Sequence, residues 1–127
     1  MTSTTTSASD NETMEDILLS GDWEIITAAY DGFVMDKMHE DNRANKDYAF
    51  LGLAGEAGEV VDTWKKTYHG REMDEEKLVD ELGDLFFYFT LILIQNELFL
   101  DDIILRNVEK LNARYPNGSA DNGRADG

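Results

Sequence analysis

The run LFFYFTLILI, from Leu85 to Ile94, restricts this chain more than any other stretch. Phenylalanine, tyrosine and isoleucine favour strands as well as helices, so the run alone also fits a buried strand. Its context decides for a helix: it continues the helix-patterned EEKLVDELGD, and no other segment reads as a partner strand. Asp74 can cap this helix, which then reaches about Gln95 with Leu78, Leu82, Leu85, Phe86, Phe89 and Leu93 on one face. The second half is apolar nearly all the way round. A small bundle cannot cover every side of such a helix, so a contact between subunits is the expected cover. Tyr88 and Thr90 interrupt the run, and it falls short of the roughly 18 apolar residues that a membrane span requires.

The remaining pattern is that of one helical domain. A chain of 127 residues, 42% hydrophobic and with a single proline, supports one moderate core built from helices. Asp22 can cap a helix in which Trp23, Ile26, Tyr30, Phe33, Val34 and Met38 recur at three- and four-residue steps, with Gly32 as its weak point. EDNRANKD reads as a loop, and Tyr48 to about Thr67 as the next helix, with Leu51, Ala54, Val61 and Trp64 expected to be buried. YHGREMD turns the chain, and a last short helix from about Asp101 to Arg114 stops before Pro116. Residues 1–13 and 119–127 are small, polar and without apolar periodicity, which predicts a disordered leader and tail around a domain at 14–118. The expected fold is all-α, a four-helix bundle-like subunit whose second and third helices form an antiparallel hairpin.

Charge and cysteine content remove whole classes of function. Twenty-seven acidic residues against eleven Lys and Arg give a formal charge of −16, which opposes nonspecific nucleic-acid binding and docking to anionic membranes. Such a chain can bind a polyanion only with a cation between them. The absence of cysteine excludes disulfides, thiolate zinc sites and cysteine nucleophiles. No charged-then-apolar signal peptide opens the chain, so the cytoplasm is the expected location.

Two acid pairs carry the candidate chemistry. Glu56 and Glu59 are three residues apart, as are Glu81 and Asp84, so each pair projects from one side of its helix. In an antiparallel hairpin the four carboxylates can converge, and an all-oxygen donor set suits Mg²⁺ or Mn²⁺ better than zinc or copper. A di-iron bundle requires Glu-x-x-His pairs, but His39 follows Asp36 and His69 follows Lys66 at that spacing. Composition alone produces some acid pairs, and Glu12 with Glu15 or Glu72 with Glu75 read as solvated surface. Gly52, Gly55, Gly58 and Gly83 set the other two pairs apart. Each costs a helix about 1 kcal/mol relative to alanine, which marks close approach either by another helix or by a ligand with its ions.

GLAGEAGEVVDTWKK, then DELGDLFFY, then NVEKLNARYPNG resemble, in that order, the MazG-like family of all-α nucleoside triphosphate pyrophosphohydrolases, in its short phage and bacterial form. The resemblance spans about residues 22–118. It implies hydrolysis of a nucleoside or deoxynucleoside triphosphate to the monophosphate and pyrophosphate, with Mg²⁺ on Glu56, Glu59, Glu81 and Asp84. It also implies substrate contacts from Asn107, Lys110 and Arg114 before a Tyr-Pro-x-Gly turn. The likeness to phage-type members implies a nucleotide-pool substrate, a purine deoxynucleotide such as dGTP.

There are departures from the family pattern. Many members carry a further glutamate directly before the first metal ligand, where this chain has Gly55, so a water-activating role for that acid does not transfer. The residues after Gly118 also lack the aromatic side chain often found there.

The residues make physical sense of that activity. Cations on the carboxylates neutralise both the protein and the triphosphate, and Glu56 or Glu59 can take a proton from water. Lys65 and Lys66, two turns after Glu59, are candidate phosphate contacts, although cations also favour a helix C-terminus for its own sake. Tyr88, one turn beyond Asp84, can reach a phosphate or sugar oxygen, or pack in the core. Trp23, Tyr30 and Trp64 are candidates to stack on a base, with ordinary burial as the alternative. The expected assembly is a homodimer or homotetramer. The competing expectation from another class is a noncatalytic oligomerisation or nucleotide-sensing module whose carboxylates are merely surface.

Overall fold

In a computed structural model of the chain, residues 12–118 are described. They form five α-helices: α1 (Met14–Ser20), α2 (Trp23–Lys37), α3 (Lys46–Lys65), α4 (Glu75–Gln95) and α5 (Leu100–Arg114). Short 3₁₀ turns, Glu40–Asn42 and Lys66–His69, lie on either side of α3. No strand occurs among the described residues, so the fold is all-α as the sequence predicts.

Side-chain caps set the helix starts. Asp22, Asn45 and Asp74 each accept a hydrogen bond from the backbone N–H three residues on, satisfying a donor that the first turn leaves free. Helix α1 is the element that apolar periodicity did not reveal, since seven residues are too few to show a period. Its signals are local. Thr13 and Asp16 form a reciprocal capping box, and Gly21 ends the helix in the left-handed conformation at φ 69°. Thr13 thus belongs to the folded unit rather than to a leader; residues 1–11 and 119–127 lie outside the described residues.

Helices α3 and α4 pack most extensively, as an antiparallel hairpin. The Tyr88 ring lies against Gly52 and the Gln95 amide donates to the carbonyls of Arg43 and Asn45, at 3.1 Å each. The C-terminal end of α4 therefore meets the N-terminal end of α3. Arg43 ties in α2, its Nε donating to the carbonyls of Met35 at 3.1 Å and Met38 at 3.2 Å, where the helix end lacks partners of its own. The core joins Val34 and Met38 from the α2 end, Ala49 of α3 and Leu91 of α4, with Tyr30, Phe87, Tyr88 and Ile92 packed around them.

The inward face of α3 differs from the expected one. Leu51, Ala54, Val61 and Trp64, predicted to be buried, are exposed; Ala49 and Thr63 are buried and Gly52, Leu53, Glu56 and Val60 half-buried. The reason is steric and electrostatic: the stripe facing α4 must admit the Tyr88 ring and carry a carboxylate inward, so it is small and polar. The bulky stripe faces away. On α4, Leu93 is buried as expected, while Leu82 and Phe86 are exposed.

Helix α5 stands apart. It has no side-chain cap, makes only slight contact with the other helices, and exposes Ile104, Leu105, Val108 and Leu111. No helix among the described residues is long and apolar enough to cross a membrane.

Candidate metal centre

The hairpin register brings Glu56 of α3 opposite Glu81 and Asp84 of α4. Each offers an oxygen, and these oxygens lie within 4.8 Å of one another. Glu81 is only 8% exposed, and Glu56 is half-buried. Burial pushes the Glu56 carboxyl above its usual range; the charges of Asp84 and Glu81, a hydrogen bond with Glu81, and the charge of Glu59 push it further the same way. A cluster of this kind is short of positive charge. Glu59, the fourth expected ligand, is exposed at the edge of the cluster and outside the close trio, within electrostatic reach of Glu56.

Lys77 faces the trio. Lys77 Nζ donates to Glu81 Oε1 at 3.4 Å, and this bond together with the Glu81 charge raises the lysine above its ordinary value. Lys77 was absent from the sequence reading, although Lys77 and Glu81 share one helix face at four-residue spacing. The donor set fits a hard divalent ion: three carboxylates, one of them buried, crowd together with the flexible Lys77 as countercharge to Glu81.

Tyr88 borders the site. Its hydroxyl donates to that of Tyr48 at 3.4 Å, and its pKa is pushed up to about 12, first by that bond, then by burial and the Tyr48 charge, and last by Glu56 and Asp84. Its ring also explains Gly52, where an added Cβ would collide with the aromatic carbons. Gly55, Gly58 and Gly83 have open space at their Cβ positions, so among the described residues close approach accounts for Gly52 and not for these three.

The expected cationic residues are more scattered. Lys65 pairs with Asp62 at 3.8 Å on the surface, and Lys66 opens the 3₁₀ turn, both exposed. Asn107 and Lys110 are exposed on α5 and Arg114 is half-buried at its end. That helix makes only slight contact with the two that carry the carboxylates. Trp23 is 46% exposed and lines a cavity between α1, α2, α4 and the start of α5.

An all-α domain with a carboxylate trio on an antiparallel hairpin offers an all-oxygen donor set that a hard divalent cation could occupy. Comparison with known proteins gives the family. The profile of the MazG nucleotide pyrophosphohydrolase domain matches residues 45–119, more than half of the chain, and the chain belongs to that family. It is also 31% identical over 83 residues to the Gene 37 protein of Mycobacterium phage L5, a match that covers 61% of this chain and 73% of that protein. No solved structure matches. The matched segment contains Glu56, Glu81 and Asp84 and begins at the cap of α3.

Proposed function

We propose that the chain is a Mg²⁺-dependent hydrolase that converts nucleoside or deoxynucleoside triphosphates to the monophosphate and pyrophosphate. A purine deoxynucleotide such as dGTP, drawn from the cytoplasmic pool, is the candidate substrate. The observation that carries this reading is the trio of Glu56, Glu81 and Asp84 inside a segment matched to the MazG nucleotide pyrophosphohydrolase domain. In this reading Glu56, Glu81 and Asp84 hold the divalent ion, with Glu59 completing the set as it enters. The ion supplies Lewis acidity, neutralising phosphate charge and acidifying water.

The protein's own groups do the rest. Glu56 is the candidate general base, a carboxyl at the site whose proton affinity burial first, and then the neighbouring carboxylates, raise above its usual range. It takes the proton of the attacking water at a carboxylate oxygen as the bond between the α- and β-phosphates breaks and pyrophosphate departs. Lys77 moves from Glu81 toward the phosphates once the carboxylate is otherwise compensated, and Tyr88 remains a neutral hydrogen-bond donor at any physiological pH. Lys110 and Arg114 reach the phosphates from α5. The exposed apolar stripe of α5 and the outward Leu51, Val61 and Trp64 of α3 support a homodimer or homotetramer, in which these faces meet.

Phosphorus NMR of reaction mixtures containing each common nucleoside triphosphate and Mg²⁺ tests the reading. Pyrophosphate and monophosphate are expected; orthophosphate as the first product, or no turnover of any nucleotide, would overturn it.

A further inference from the structure

The seam that carries the carboxylate trio continues past it into a pair of tyrosine hydroxyls. On α3, Tyr48, Gly52 and Glu56 follow one another at four-residue steps, and on α4 Glu81, Asp84 and Tyr88 follow at three and four, so each set occupies one helix face. The hairpin joins the two faces at two levels. Glu56 meets Glu81 and Asp84 at one, and the Tyr88 ring meets Gly52 at the other, a helical turn of about 5.4 Å further along. There the Tyr88 hydroxyl donates to that of Tyr48 at 3.4 Å, with the ring centroids 5.9 Å apart and the rings tilted by 52°.

The pair has a donor to spare. Two hydroxyls bring two hydrogens and the bond between them uses one, so the Tyr48 hydrogen is left for a ligand. No acceptor takes it among the described residues. Tyr48 is 37% exposed, and its bond to Tyr88 lies at the surface, open to whatever the trio holds. The Tyr88 phenol, its pKa pushed up to about 12, stays protonated and keeps donating, and a hydroxyl that accepts one hydrogen bond is polarised to donate the next. Neutral donors suit this seam. A lysine beside the trio pairs with a carboxylate, as Lys77 does with Glu81, whereas a phenol brings no charge that would draw a carboxylate from its cation.

We propose that Tyr48 is a substrate-binding residue, its hydroxyl donating to a phosphate oxygen of the triphosphate while Tyr88 holds and polarises it. Phosphate is the part of a nucleotide that a cation on the trio draws to this seam, and the hydroxyl pair stands one turn away from it. The proposal rests on the hydrolase reading above and adds to it a contact made by α3 itself.

Tyr48→Phe removes the hydroxyl and keeps the ring. Three quantities test it: kcat/KM for dGTP and dTTP, binding of inorganic tripolyphosphate with Mg²⁺, and binding of Mn²⁺ alone. In Tyr48→Phe, kcat/KM is expected to fall at least about tenfold for both nucleotides, the size of a hydrogen bond to a charged group, and tripolyphosphate binding to weaken likewise. Binding of Mn²⁺ should be unchanged, and Tyr68→Phe, just past the other end of α3, should alter none of the three. Adding Tyr88→Phe to Tyr48→Phe should cost less than the product of the two single losses, since the pair acts as a unit. Unchanged kcat/KM in Tyr48→Phe would overturn the proposal. So would weakened Mn²⁺ binding, which would mean that Tyr48 acts through the hairpin, and so would losses confined to the nucleotides, which would move the contact to sugar or base. If the wild type hydrolyses no nucleotide, tripolyphosphate binding separates the two ideas. Binding weakened in Tyr48→Phe would uphold the contact and remove the hydrolase, whereas binding that is absent or untouched by the substitution would overturn the contact.

Discussion

The α3–α4 hairpin and α5 are all regular helices, yet α3 and α4 pack extensively on each other whereas α5, among the described residues, makes only slight contact with the other helices. The hairpin closes on small residues and on a tyrosine ring seated at Gly52, and so fixes the register that aligns Glu56 with Glu81 and Asp84. Helix α5 leaves Ile104, Leu105, Val108 and Leu111 exposed among the described residues. The difference teaches that the carboxylate trio is assembled within one chain, whereas α5 leaves much of its apolar face open to a partner.

The largest effect expected is at the centre of the hairpin. Glu81→Gln should reduce pyrophosphate release by more than about 100-fold, beyond what loss of an outer-shell partner typically costs a metal site, while circular dichroism stays helical. An active Glu81→Gln protein would separate the site from the hairpin. Next comes α5: Leu105→Glu places a charge where an apolar side chain is expected to be covered, a change of about 2–3 kcal/mol, and sedimentation should show a smaller species. Unchanged assembly would mean that α5 meets no partner through this face.

Smaller effects probe the glycines. Gly52→Ala should lower stability by about 1–3 kcal/mol through overpacking against Tyr88, measured by urea unfolding. Gly58→Ala, with open space at its Cβ, should raise it by up to ~1 kcal/mol through helix propensity. Loss of stability in Gly58→Ala would instead reveal another chain packed there.

The pH dependence is the mildest effect. Glu56 binds its proton more tightly in the folded chain than its ordinary value of 4.5, so its contribution to stability is complete below that value and is lost as the pH rises through the folded value. In chelator-treated protein the melting temperature should fall from about pH 4.5 upward, less steeply in Glu81→Gln, and Mg²⁺ should restore it at neutral pH. Equal slopes in the two proteins would mean that Glu81 does not perturb Glu56.

Much of this was legible in the chain. Asp22 and Asp74 act as the caps that their positions foretold, LFFYFTLILI is helical, and Glu56 of the first acid pair lies close to both members of the second, with Glu59 outside that group. The buried face of α3 was not legible, because pattern reading selects the bulkiest stripe, here Leu51, Val61 and Trp64, whereas contact with α4 required a small and polar one. Helix α1 was too short for a period, and only its capping box marked it. The cavity beside Tyr30 joins residues from four helices, and no spacing rule in one dimension predicts such a meeting.

The claim at the centre of this account is that Glu56, Glu81 and Asp84 form a cation site before any nucleotide arrives. Electron paramagnetic resonance of free Mn²⁺, titrated into wild-type and Glu81→Gln protein without nucleotide, reads this directly. Saturable loss of the free-ion signal in the wild type, weakened at least tenfold in Glu81→Gln, is the predicted result. Indistinguishable titrations of the two proteins would contradict it.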